Sequence, residues 1–253
     1  MVAVYFEVLL KRATTPLIYL AFLIMWEGGV RIFQVPGWIL PAPSVIGATA
    51  MKWAPELLHN SYITMQETLI GFLLALVLSL PLAVMIAFTV TIRRLLYPIL
   101  LGLQSIPKVA LAPLVILWLG IGSAPKIVVV VLVCFFPILV NVVAGLESVP
   151  RPMLDLMHSL QASEFAIFRR LRAPFALPHL FTGCKIAITF AVIGAVIGEF
   201  VAAQEGLGYM ILISTAQSLT PLAFAAIILL TFISVAFFHA VEFLERRFVT
   251  WHL

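Results

Sequence analysis

Side chains able to do chemistry are scarce in this sequence. No G-x-x-x-x-G-K-[ST] run is present to cradle a nucleotide phosphate, and neither H-E-x-x-H nor G-x-S-x-G occurs. The five histidines (His59, His158, His179, His239 and His252) are scattered without ligand spacing, and the two cysteines, Cys134 and Cys184, sit in apolar surroundings. No catalytic set, metal site or disulfide framework is indicated. What remains is a short list of polar residues inside or beside apolar runs: Gln104, Ser105, Lys108, Asn141 and Glu199. Lys108 lies either within a helix that begins near Leu95 or in the first turn of a new helix, capped by Ser105 after a kink at Pro107. Its ammonium either meets an anionic ligand, pairs with Glu199, or snorkels to an interface. Asn141 follows Pro137 by four residues, where it can satisfy backbone groups that the proline frees.

The elements holding these residues are set by composition. The chain has 253 residues, 63% hydrophobic and only 10% charged, with a mean hydropathy of +1.17. Soluble domains carry about 25% charged residues, so the solvent here is lipid. The predicted fold is an all-α membrane protein of about six transmembrane helices. Leu69 to Val90 and Ile127 to Leu146 are uncharged runs long enough to span a bilayer, and Leu222 to Val241 carries only His239 as a titratable group. Ile186 to Gly198 is bracketed by Lys185 and Glu199, Pro16 to Phe33 ends at Glu27 and Arg31, and Leu95 to Gly122 is interrupted by Pro98, Pro107 and Pro113. The span nearest the N-terminus has an alternative reading as a signal peptide, since Lys11 and Arg12 precede a short apolar core. The spans leave room for one transmembrane domain over residues 1–253, with an N-terminal span and outer connector over 1–60 and a core over 61–245.

The net charge of +4 encodes orientation. Lys11, Arg12, Arg93, Arg94, Arg151, Arg169, Arg170, Arg172, Lys185, Arg246 and Arg247 fall on one side, and Arg31, Lys52 and Lys126 on the other. The richer side is cytoplasmic, which places both termini there. No basic run interleaved with aromatics suggests nucleic acid. In lipid, polar side chains face the protein interior or a water-lined path, so Gln104, Ser105, Lys108, Asn141 and Glu199 are the candidates for a translocation path. On the outer side, Ser44 to Leu58 is predicted as a surface helix, either a resting place for a partner or a plain connector. Gly206 and Gly208 permit a tight turn before a short interfacial or re-entrant helix over Tyr209 to Ala216.

The longest cytoplasmic segment, residues 150–178, repeats apolar residues at helical spacing: Met153, Leu156, Met157, Leu160, Phe168 and Leu171, with Phe165 near the stripe. It is read as one amphipathic helix over Met153 to Leu171, starting after Pro152 and stopping before Pro174. Asp155 in its first turn and Arg169, Arg170 and Arg172 in its last match the helix dipole. Such a helix either lies on the membrane surface or docks a partner.

The stretch "LDLMHSLQASEFAIFRRLRAPFALPHLFTG", Leu154 to Gly183, resembles the cytoplasmic EAA loop of permease subunits of bacterial ABC importers. Asp155 takes the loop's acidic position, Ala162 and Ser163 its A-S pair, and Pro174, Leu177, Pro178 and Gly183 the remainder. Leu156 and Met157 depart from the small residues that follow the acid, and Gln161 stands where the motif has glycine. "WILPAPSVI" (Trp38 to Ile46), "SIPKVALAPLVILWLGIGSAPK" (Ser105 to Lys126), "FFPILVNVVAGLESV" (Phe135 to Val149) and "GEFVAAQEGLGYMI" (Gly198 to Ile211) are similar to the nitrate, sulfonate and taurine branch of these permeases, which includes carriers of pyrimidine vitamin precursors. Glu199 matches that branch's acidic residue before "GLG", with a role in helix packing or in solute contact.

The resemblance implies a type I importer permease in the bacterial inner membrane, working as a dimer, with a second copy of itself the expected partner. It implies an ABC ATPase subunit dimer beneath, which holds the ATP and Mg, and a periplasmic solute-binding protein outside. This chain would bind no cofactor and touch only these proteins and membrane lipid. The coupling residues would be Asp155, Met157, Leu160, Gln161, Ala162, Ser163, Phe165, Phe168, Pro174 and Pro178. A self-contained channel or ion-coupled carrier using Lys108 and Glu199, or a structural scaffold, are the readings from other classes; only the importer needs a separate ATPase.

Overall fold

Apolar runs punctuated by proline and glycine fold into eleven α-helices among the residues that the computed structural model describes. The backbone is described for residues 2–202 and 204–250, and side chains from residue 17 onward except at 90, 97, 101 and 202. The side chains of Lys11 and Arg12, and all of His252, therefore lie outside the described residues. The helices are α1 (Val2–Ile32), α2 (Pro43–Lys52), α3 (Ala54–Phe88), α4 (Val90–Gln104), α5 (Lys108–Leu119), α6 (Ser123–Glu147), α7 (Arg151–Ser159), α8 (Glu164–Ile167), α9 (Ala173–Ala202), α10 (Leu207–Ala216) and α11 (Thr220–Phe248), with a π-helical turn, Phe168–Arg172, joining α8 to α9. Among the described residues α3, α6, α11 and the run from α8 into α9 are long and apolar enough to span a bilayer. A fifth span arises if α4 and α5, bent by 95° at their junction, count as one. About six were expected; the expected first span lies within α1, whose first half has only its backbone described.

The chain groups into two compact units, Met1–Leu58 with Met210–Ile228, and His59–Tyr209 with Leu229–Leu253. Within the first, Glu27 of α1 receives the backbone N–H of Ser44 at 3.0 Å and its hydroxyl at 2.7 Å, so a carboxylate caps the proline-led start of α2. The expected surface helix ends earlier than Leu58, because α2 stops at Lys52 and α3 begins at Ala54.

The second unit is built on α6 and α9, which share its most extensive helix contact. The two run antiparallel at backbone-contact range. A Cβ on Gly198 would stand 2.9 Å from the Lys126 Cα, one on Gly194 3.1 Å from the Val130 Cα, one on Gly183 2.9 Å from the Asn141 Cβ, and one on Gly145 2.7 Å from the His179 Cβ. Between these glycines Ala187, Ala191 and Ala195 are fully buried against Val130, Cys134 and Ile138, and α3 adds Phe72, Ala75, Ala83 and Ile86. Lipid supplies no hydrophobic drive for helix association, so small residues that admit close packing do this work. Of the two expected placements of Lys108, the second is the one found, with Ser105 at the end of α4, Pro107 at the N-cap position of α5 and Lys108 the first residue of α5.

Gly183→Val is expected to lower the melting temperature in detergent by several degrees, since its Cβ has no room and overpacking costs about 1–3 kcal/mol. Gly102→Ala in α4, where an added Cβ would meet nothing within 4 Å, is expected to leave stability equal or raise it by up to about 1 kcal/mol. A thermal unfolding series on both variants checks the contrast.

Candidate functional site

The segment expected to be one amphipathic helix is broken. α7 ends at Ser159, and Gln161 adopts φ +53°, in the left-handed region. The N–H of Ala162 reaches the Met157 carbonyl at 3.0 Å and that of Gln161 the His158 carbonyl at 2.9 Å, the paired bonds of a Schellman helix end. A left-handed residue is what this end needs, and glycine is its usual occupant. Gln161 therefore makes, with a side chain, the left-handed helix end that glycine usually makes. Ser163 then starts the next helix, its hydroxyl accepting the Ala166 N–H at 3.3 Å.

The two halves of the loop have different surroundings. No residue of α7 is buried, and Leu156, Leu160 and Phe165 are 60%, 68% and 71% exposed. Met157 and Ala162 are half-buried, while Asp155, Gln161 and Ser163 are exposed. Past Phe165 the chain turns inward. Ile167, absent from the expected stripe, is fully buried, and Phe168 packs on the core. Phe168 and Phe88 of α3 meet edge to face at 5.5 Å, and the Arg172 guanidinium lies 4.8 Å over the Phe88 ring. Nor does helix stop before Pro174. Pro174 and Pro178 both lie in α9, because the π turn just ahead rearranges the bonds that Pro174 cannot make. The result is an apolar ledge, uncovered on top and fixed at its base.

A second cluster gathers at the other end of α3. Asn60, Thr64 and Glu67 recur on one helix face. Glu199, 1% exposed, accepts the Thr64 hydroxyl at 2.7 Å and the Gly208 N–H at 2.6 Å. Thr64 accepts the Leu207 N–H at 2.9 Å, and Asn60 Oδ1 the Gly206 N–H at 2.6 Å. Gly206, at φ +116°, has no space for a Cβ beside the Glu199 carboxylate. Glu67 forms a buried ion pair with Lys126 at the start of α6. Lys126, taken from sequence as an outer-loop charge, is thus an interior cation.

The remaining polar candidates do not join this cluster. Lys108 donates to the Gln104 carbonyl at 3.0 Å and sits 5.5 Å from the Phe136 ring centroid; Glu199 is not its partner. Gln104 and Ser105 are exposed at the bend. Asn141 donates at 2.8 Å to the carbonyl of Pro137 itself, rather than to the carbonyl one turn earlier that the proline leaves free. Asn60, Thr64, Glu67 and Lys126 were missed in the sequence, although polar residues at i, i+4 and i+7 leading an apolar helix are a readable signal.

Lys126→Met alone is expected to destabilise by about 3–5 kcal/mol by stranding the Glu67 charge, and the double variant with Glu67→Gln to recover most of that loss; a melting-temperature cycle of the four proteins measures it. Gln161→Gly is expected to stabilise by about 1 kcal/mol through relief of the left-handed backbone, and Gln161→Val to lower the melting temperature.

The family model described as binding-protein-dependent transport system inner membrane component matches residues 75–250. The chain is 36% identical to the riboflavin transport system permease protein RibX of Chloroflexus aurantiacus, over 93% of this chain and 89% of that one. It is 35% identical to the formylaminopyrimidine transport permease protein ThiX of Halalkalibacterium halodurans, over 93% and 94%. Sulfonate and taurine permeases are further relatives. In fold it matches a structure of the MetNI methionine ABC transporter with a TM-score of 0.69 at 20% identity, covering 78% of this chain and 97% of that one. With the all-helical bundle and the EAA-like turn already in place, these matches establish that the chain belongs to the inner-membrane permease family of binding-protein-dependent ABC importers.

Proposed function

We propose that two copies of this chain line a path for a small heteroaromatic solute of the vitamin or vitamin-precursor kind, handed over by a periplasmic binding protein. The names of the relatives RibX and ThiX support that solute class, and the binding protein sets the final choice. ATP and Mg are held by the ATPase subunits, and both termini face the cytoplasm with the basic ends of the spans.

One observation carries the coupling: α7 and Phe165 present apolar side chains that stay exposed among the described residues, on a base fixed by Ile167, Phe168 and Arg172. An exposed apolar patch on a rigid support is a docking surface. The ATPase receives the ledge through Met153, Leu156, Leu160 and Phe165. Asp155 and Ser163 stay at the rim, Met157 and Ala162 fill the ledge from beneath, and Gln161 sets its bend. When ATP closes the ATPase dimer, the ledge follows as a solid body, because Phe168 and the Pro174 to Pro178 segment continue it into α9 without a hinge. The path candidates are Gln104, Ser105 and Lys108 at the bend, with Asn141 and Glu199 holding the surrounding helices.

Phe165→Asp and Ala162→Glu, made in the full complex, are expected to leave the protein inserted and the ATPase able to hydrolyse ATP, while uptake falls at least about tenfold, as loss of an apolar anchor of roughly 1.5–3 kcal/mol implies. Uptake and hydrolysis measured side by side in proteoliposomes decide it; normal uptake by both variants excludes the ledge as the coupling site. Native mass spectrometry of the purified complex checks the stoichiometry, with two permeases and two ATPase subunits expected.

A further inference from the structure

A cavity of about 580 Å³ lies within the first unit. It is an open groove lined by one stripe of α1 (Phe22, Met25, Trp26, Gly29 and Phe33) and by Leu40 and Phe224 among others. From Phe22 to Phe33 the stripe runs about 16 Å at the α-helical rise, a length suited to an extended hydrocarbon chain. Its walls are apolar with one exception. Trp26, held between Phe22 and Phe224 at 6.3 and 6.1 Å, has a buried indole Nε1–H with no hydrogen-bond acceptor. An unmet donor inside an apolar cavity costs about 1–3 kcal/mol, so the cavity calls for an occupant that is hydrocarbon in bulk and carries an acceptor at that level.

We propose that this cavity binds one acyl chain of a membrane glycerophospholipid, whose ester carbonyl accepts the Trp26 Nε1–H. The lipid becomes part of the first unit's packing. A second protein chain would bring apolar side chains to the stripe but leave the indole donor unmet, whereas every glycerophospholipid carries its ester carbonyls next to its acyl chains.

The test is native mass spectrometry of the full-length protein released from nanodiscs of defined phosphatidylglycerol and phosphatidylcholine. Wild type is expected to retain one phospholipid per chain under activation that strips bulk lipid. Gly29→Leu, placed where a Cβ meets nothing within 4 Å, fills the cavity and is expected to cut retention at least tenfold. Trp26→Phe keeps a ring but removes the donor, and is expected to reduce retention about threefold to tenfold, the range of one hydrogen bond. A photoreactive residue at Met25 in otherwise wild-type protein is expected to crosslink to lipid, which keeps the question decidable if either variant fails to fold. Lipid-free wild type, undiminished retention by folded Gly29→Leu, or a crosslink from position 25 to another protein chain would each overturn the proposal.

Discussion

The close approach of α6 and α9 is the constraint on which the second unit depends. In lipid two helices gain little by merely touching, and what holds them is the density of contact that small residues allow. Gly145 on one helix and Gly183, Gly194 and Gly198 on the other bring the backbones together along nearly their whole length. That depth fixes two distant features at once. At one end it presses Lys126 against Gly198, from where its ammonium reaches Glu67. At the other it seats Gly145 against Ala176 and His179, close behind the π turn that carries the apolar ledge.

Buried charge then defines the far end of the bundle. An isolated carboxylate at membrane depth is costly, and both Glu67 and Glu199 are compensated, one by a cation and the other by a hydroxyl and a backbone N–H. The Glu199 arrangement also ties the Gly206 to Gly208 turn to α3 through Thr64 and Asn60. Two sets of polar side chains thus behave differently: those at the α4–α5 bend remain exposed while those near Glu199 join helices. The apolar ledge belongs to neither set, and among the described residues Leu156, Leu160 and Phe165 are left exposed on it.

Much of this was legible from residue types alone. The uncharged runs located α3, α6 and α11, the helical spacing of Met153, Leu156 and Leu160 marked an apolar face, and Gly206 marked a turn, although α10 begins at Leu207 and takes Gly208 into its first turn. What was not legible has physical causes. Lys126 stands next to an apolar run and looks like a loop charge, because sequence gives a residue's distance from a span's end and not what faces it; only the α6–α9 register turns it towards Glu67. The break at Gln161 was hidden because its usual signal, glycine, is absent and the apolar period continues across it by chance. Ile167 fell outside the expected stripe because the turn resets the helical phase, so that the buried face after the break is not the exposed face before it.

That turn also bears on how such loops are found. A loop pattern stated as letters would ask for glycine here, yet what this chain has at position 161 is a left-handed dihedral angle and two backbone hydrogen bonds. Several residue types can meet those conditions at modest energetic expense, so the set of sequences able to build the loop is wider than the set that spells it. A search keyed to backbone shape would gather members that a search keyed to glycine passes over, and would treat the identity at this position as free to drift so long as the chain still reverses there.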